Sequence, residues 1–114
     1  MIVRPATEPD ADALAAIYGH AVLHGFGTFE EEPPSAADME GRRRLIANRG
    51  LPYFAAEEDS HVLGFAYAGP FRPRAAYRYT LEDSVYVAPD AVGQGVGRAL
   101  LTAVVFAFET TGQP

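Results

Sequence analysis

Three glycines at alternate positions, Gly93, Gly95 and Gly97 in "VGQGVGRALL", constrain this 114-residue chain more than any other feature. They follow the β-branched run "SVYV" and a Pro-Asp turn, and they lead into an apolar stretch, so a strand must give way to a helix within a few residues. Such a junction leaves N–H groups unpaired where the helix dipole is positive, and glycines let an anion approach the main chain there. Residues 93–98 are therefore a candidate anion site. Two common phosphate loops do not fit. The dinucleotide fingerprint, started at Gly93, needs glycine where Arg98 stands, and the triphosphate loop needs a Gly-Lys-Ser/Thr ending that is absent. The alternative reading of the same glycines is a tight turn with small residues for close helix packing.

Upstream, strands and helices alternate. "IVRPAT" is a short strand, and Thr7 with Asp10 is a capping signal for a helix over residues 8–20, whose Leu14, Ile17 and Ala21 would face a sheet. Residues 23–35, "LHGFGTFEEEPPS", read as a loop; Ser35 and Asp38 repeat the capping signal for a second helix ending near Asn48. "PYFAAEE" and "HVLGFAYAG" are strands joined as a hairpin around Asp59. "GPFRPRAAYRY" is an excursion punctuated by Pro and Arg, "TLEDSVYV" returns to strand, and residues 95–111 form the last helix. The expected order is β-α-α-β-β-β-α, an α/β (α+β, mixed-sheet) single domain over residues 1–114.

Composition excludes several classes of function. With no cysteine there is no disulfide framework, thiolate nucleophile or sulfur-based zinc site. A net charge of −6 argues against a nucleic-acid partner, and the run "GRRR" at residues 41–44 reads as a solvated helix face. His20 and His24 have the spacing of a metal pair but no third ligand is evident, so no metal is expected; His61 looks like surface. The longest apolar run, "ALLTAVVFAF" at residues 99–108, is about half a membrane span. The N-terminus lacks a signal-peptide layout, so the expected location is cytoplasmic, with no membrane partner.

Context gives the glycine turn a sharper meaning. The strand, the Pro-Asp turn, "GQGVGRALL" and the upstream element order together resemble the acetyl-coenzyme A site and opening topology of the GNAT superfamily of N-acetyltransferases. "RPATEPDADALAAIYGHAVLHGFGTFEEEPPS" and "GFAYAGPFRPRAAYRYTLEDSVYVAPD" are similar to the phosphinothricin and methionine sulfoximine acetyltransferases across nearly the whole chain. The resemblance implies the N-terminal portion of the GNAT fold, without the C-terminal strands and helix. It also implies acetyl-CoA as cosubstrate and a small amine acceptor: phosphinothricin, methionine sulfoximine or methionine sulfone.

The same resemblance assigns residues. Val85, Tyr86 and Val87 would lie along the pantetheine arm, and Gly93, Gln94, Gly95, Val96, Gly97 and Arg98 would hold the pyrophosphate. One position departs from the pattern: the superfamily usually begins the turn with Arg or Gln, and Val92 stands there. Glu82 is the implied base that deprotonates the acceptor amine, directly or through a water. Period-two alternation puts Glu82, Ser84 and Tyr86 on one strand face and Asp83, Val85 and Val87 on the other, unless a bulge shifts the phase. Arg72 and Arg74 would pair with the acceptor's carboxylate or phosphinate, with Tyr77 and Phe29 beside it. An alternative is open at this point: a truncated, non-catalytic fragment that is a weak coenzyme A binder or an assembly module. Partners implied for the catalytic reading are a second copy in a homodimer or a complementing C-terminal fragment. An uncovered fourth-strand edge and apolar last helix are expected to be sticky.

Overall fold

The computed structural model of the chain describes residues 1–25, 30–70 and 81–110. Strands β1 (Ile2–Pro5), β2 (Tyr53–Glu58), β3 (His61–Pro70) and β4 (Leu81–Val87) form one sheet in the order β1-β2-β3-β4. Helices α1 (Ala11–His24), α2 (Ala36–Asn48) and α3 (Val96–Thr110) complete the order expected from the sequence. Every pairing is antiparallel, so the parallel pair that a mixed sheet requires does not occur among the described strands.

Strand alternation divides the interior into two cores. Tyr53, Ala55 and Phe65 pack with Leu14, Ile17, Tyr18, Val22 and Met39 on the side covered by α1 and α2, where Tyr67 and Tyr86 join them. Ala56, Ala66 and Ala68 face Val96, Leu100 and Val104 of α3, with Val85 and Val87 alongside. The first core is aromatic: Tyr53 stacks on Phe65 and Tyr67, and Phe65 stacks on Tyr86. The second is lined by alanines, which let α3 lie close to the sheet.

Local signals fix most element ends. Asp10 accepts from the Thr7 N–H at 2.8 Å and opens a short 3-10 turn (Glu8–Asp10) that leads into α1. That helix runs past the expected end near His20 to His24, because Ala21 and Val22 continue the buried stripe of Leu14 and Ile17. Ser35 caps α2 as expected: its Oγ accepts from the Asp38 N–H at 3.1 Å, and the Asp38 carboxylate accepts from the Ser35 N–H at 3.2 Å. The β2–β3 hairpin turns at Asp59 and Ser60, with φ of 51° and 66°. Register then slips between Ala56 and Glu57, which leaves Leu63 as the extra residue of a β-bulge.

The "GRRR" run is an ion-pair network rather than an open cationic face. Arg42 pairs with Glu30, Arg43 with Glu40, and Arg44 with both Glu40 and Glu8. Arg43 also donates to the Ala6 carbonyl, so α2 is tied to the N-terminal segment. A second network has Arg4 donating to both oxygens of the buried Asp10 and to Glu57.

Candidate functional site

The glycine turn stands at one end of an unpaired strand edge. β4 is an outer strand of the described sheet. The Ala88 N–H donates to the Leu63 carbonyl at 2.8 Å, and antiparallel alternation therefore turns the backbone groups of Tyr86 toward β3 and those of Val85 and Val87 toward the open edge. The Val85 and Val87 side chains pack on the α3 side, while the Tyr86 ring lies on the other face, edge-on to Tyr18 at 4.9 Å. Burial pushes the Tyr86 hydroxyl up from its ordinary pKa, so it is a neutral group at physiological pH.

After Val87 a 3-10 turn (Pro89–Ala91) leads to the glycines. Gly93 and Gly95 have φ of 87° and 80°, a backbone region that side chains disfavour, yet an added Cβ at either would meet open space. At Gly97 a Cβ would sit 3.6 Å from Val87 and 3.8 Å from Val85, ordinary contact distances. Crowding against the sheet therefore requires glycine at none of the three; the tight-turn part of the alternative reading fits the positive φ of Gly93 and Gly95, while its close-packing part finds no support. The Ala99 N–H donates to the Gly95 carbonyl at 3.1 Å, closing the first turn of α3. The N–H groups of Val96, Gly97 and Arg98 precede that bond and have no acceptor within the helix. Buried Val96 anchors the helix start. Gln94 is exposed, with its Nε2 in long contact, 3.4 Å, with the Asp90 carbonyl. Arg98 is exposed, and Val92 presents an apolar side chain to solvent where a donor was expected.

On the acceptor side the β3–β4 register is unbroken from Pro70↔Leu81 to Gly64↔Val87, so no bulge shifts the strand phase. Glu82 stands opposite Gly69, in register phase with Ser84 and Tyr86; its side chain lies outside the described structure. Phe29, Arg72, Arg74 and Tyr77 lie outside the described residues. His24 Nδ1 donates to the His20 carbonyl at 2.8 Å, and no group of three metal-ligating side chains is found among the described residues. No helix among them is long and apolar enough to cross a membrane.

Sequence reasoning passed over a cavity of about 270 Å³ between α2 and the sheet, lined in part by Tyr53, Tyr67 and Arg49. The alternation Phe65-x-Tyr67 opposite Tyr53 was its only signal, and that pattern reads equally as core.

Comparison with known proteins gives this arrangement a family context. A model described as the Acetyltransferase (GNAT) family matches residues 15–113. The chain is 52% identical over 103 residues to a phosphinothricin N-acetyltransferase of Alcaligenes faecalis, covering 90% of this chain and 52% of that protein. It is 36% identical to an L-methionine sulfoximine/L-methionine sulfone acetyltransferase of Salmonella typhimurium, covering 92% of this chain and 61% of that one. Among solved structures, a GNAT superfamily phosphinothricin acetyltransferase from Sinorhizobium meliloti, in complex with acetyl-CoA, superimposes with a TM-score of 0.85 at 43% identity, over 92% of this chain and 57% of that one. The chain thus spans between about half and three-fifths of the length of these relatives.

Proposed function

The chain belongs to the GNAT acetyltransferase family, and on that premise we propose that it serves acetyl-CoA-dependent N-acetylation of a small amino acid analogue of the phosphinothricin, methionine sulfoximine or methionine sulfone type. Its described elements are a portion of the GNAT fold. The observation that carries the reading is the continuity of the open β4 edge with the start of α3. Outward backbone groups at Val85 and Val87 suit a chain of amides, and the free N–H groups at residues 96–98 suit a pyrophosphate. Gly93 and Gly95 leave the main chain bare where an anion would approach it. Tyr86, with its backbone turned inward, contributes its ring on the acceptor side.

Bound acetyl-CoA would supply an acetyl thioester open to attack by an amine. For that attack the acceptor nitrogen must be neutral, and Glu82 is the group in register with the acceptor face that can take its proton, directly or through a water. Arg72 and Arg74 would orient the acceptor through its carboxylate or phosphinate, with Phe29 and Tyr77 as walls. The open edge of β4 offers N–H groups to the developing oxyanion. The partners this reading implies are a second copy in a homodimer or a complementing C-terminal fragment.

Calorimetric titration of the chain with acetyl-CoA and a thiol-release assay with phosphinothricin, methionine sulfoximine or methionine sulfone test the reading. Gly95→Val should weaken acetyl-CoA by roughly tenfold or more, since it blocks both the backbone angle and the approach. Glu82→Gln should lower turnover at neutral pH by roughly a hundredfold and leave coenzyme affinity in place. Unchanged affinity in the first variant, or unchanged turnover in the second, would remove that residue from its role. Binding without thiol release would favour the second reading, a non-catalytic coenzyme A-binding or assembly module.

A further inference from the structure

The cavity between α2 and the sheet takes no part in the coenzyme reading, and its lining divides chemically into a body and a mouth. The body is apolar and aromatic: the Tyr53 and Tyr67 rings stack with centroids 4.9 Å apart, and Met39 and Ile46 of α2 face them. The mouth carries two guanidiniums from α2 and its end, and their states differ. Arg42 is held by both oxygens of Glu30, at 2.7 and 3.1 Å, and lies 5.8 Å from the centre of the Tyr18 ring. The Arg49 guanidinium, like that of Arg98 at the start of α3, makes no hydrogen bond or ion pair among the described residues, whereas Arg4, Arg42, Arg43 and Arg44 each engage a carboxylate. A guanidinium left unpaired beside an aromatic cavity, on a chain of net charge −6, is open to an anion.

A second polar group points the same way. Tyr53 as a residue is only 6% exposed, but no buried side-chain polar atom lacks a partner among the described residues, so its hydroxyl opens to the cavity rather than being sealed in the core. Burial pushes its pKa up, with the neighbouring Tyr67 adding to the effect, so it stays a neutral donor at any ordinary pH. As part of the cavity lining it can donate to a ligand oxygen there.

We propose that this cavity is a binding site for a small organic carboxylate with an aromatic or apolar body, its charge on Arg49 and its body against Tyr53 and Tyr67. At about 270 Å³ the space equals roughly nine water volumes of ~30 Å³ each, enough for one ring and a short arm but not for a nucleotide. A cationic amine has no complement at this mouth, where the unpaired charge among the described lining residues is positive. Tyr18 borders the cavity and also touches Tyr86, so the occupant sits one ring away from the acceptor face. The proposal does not depend on acetyl transfer.

Titration of the whole chain with 3-phenylpropanoate, 3-phenylpropan-1-ol and propanoate, followed residue by residue through amide NMR shifts, tests it. The aromatic acid should bind saturably, with shifts centred on Ile46, Arg49, Tyr53 and Tyr67. The alcohol and the short acid should each bind roughly tenfold more weakly, for want of the charge or of the ring. Arg49→Gln, at an exposed position the fold does not use, should bring the aromatic acid down to the affinity of the alcohol. Ile46→Trp, which fills the space, should abolish binding; if that variant fails to fold, Arg49→Gln carries the test. Equal affinity for acid and alcohol, or an unaltered Arg49→Gln, overturns the proposal. So do shifts centred on residues 93–98, which would make the ligand a visitor to the α3 start. An acetyl-CoA titration of the same samples reads the coenzyme site separately, so either assignment can fail without the other.

Discussion

A methyl group at position 64 would lie 2.7 Å from the Tyr86 carbonyl oxygen and 3.2 Å from both Leu100 and Val96. The carbonyl belongs to the β3–β4 ladder and cannot turn aside, so Gly64→Ala should destabilise the chain by about 3 kcal/mol in urea unfolding. Gly97→Ala, with only ordinary contacts to accept, should change stability by less than about 1 kcal/mol. The reverse ranking would mean that α3 does not approach the sheet as described. Carboxylates give the second residue-scale prediction. Hydrogen bonds from Arg4, then from Thr7, hold Asp10 below its ordinary pKa against the opposing effect of burial, and Arg43 with Arg44 holds Glu40 at about 2. Both pKa values are depressed by folding, so this stability is fully present above the unfolded carboxylate range and lost as pH falls toward the folded values. The melting temperature should be nearly flat from about pH 7 to 5 and fall below roughly pH 4.5. Asp10→Asn should lower it at neutral pH and soften the acid slope. An acid slope identical to that of the parent chain would sink this account.

The β2–β3 hairpin turns through two residues with positive φ, neither of them glycine. Ser60→Gly should therefore stabilise the chain by about 1 kcal/mol, read as a raised urea midpoint at unchanged slope. The elements were largely legible because their signals are local. Thr7 with Asp10, Ser35 with Asp38 and the turn at Asp59 each announce a boundary within a few residues, and the structure puts boundaries there. The helix expected to end near His20 continues to His24, where Ala21 and Val22 still have a core to face. What stayed illegible depends on contacts distant in sequence. Gly64 reads as an ordinary strand glycine until Tyr86 and α3 are brought to it, and the direction of the Val85 and Val87 backbone groups depends on pairing with β3. Arg42 and Arg44 are exposed, as a solvated face requires; what the sequence did not show is their pairing with Glu30 and Glu8, which lie outside the helix. Of the candidate site, the glycine turn was legible from spacing alone, while Glu82 and the acceptor residues rested on family likeness.

At the scale of the molecule, one apolar surface has no cover among the described residues. Leu101, Val105 and Phe106 of α3 face outward, Phe106 being 67% exposed, and the open edge of β4 is another uncovered surface. Concentration-dependent association should follow, and Leu101→Glu with Phe106→Glu should shift the sedimenting species toward monomer, since both positions lie outside the buried stripe. Association unaffected by these charges would locate the sticky surface elsewhere. The division into two cores has a consequence of its own. The chain lacks tryptophan, and Tyr18, Tyr53, Tyr67 and Tyr86 all belong to the core beneath α1 and α2. With Tyr77 and Tyr79, which lie outside the described residues, replaced by phenylalanine, emission from these four rings reports on one side of the sheet, while α3 contributes chiefly to the far-ultraviolet helical signal. Melting followed by both kinds of light compares the two sides directly: coincident curves mean one cooperative unit, and an earlier loss of helical signal means that α3 peels away first.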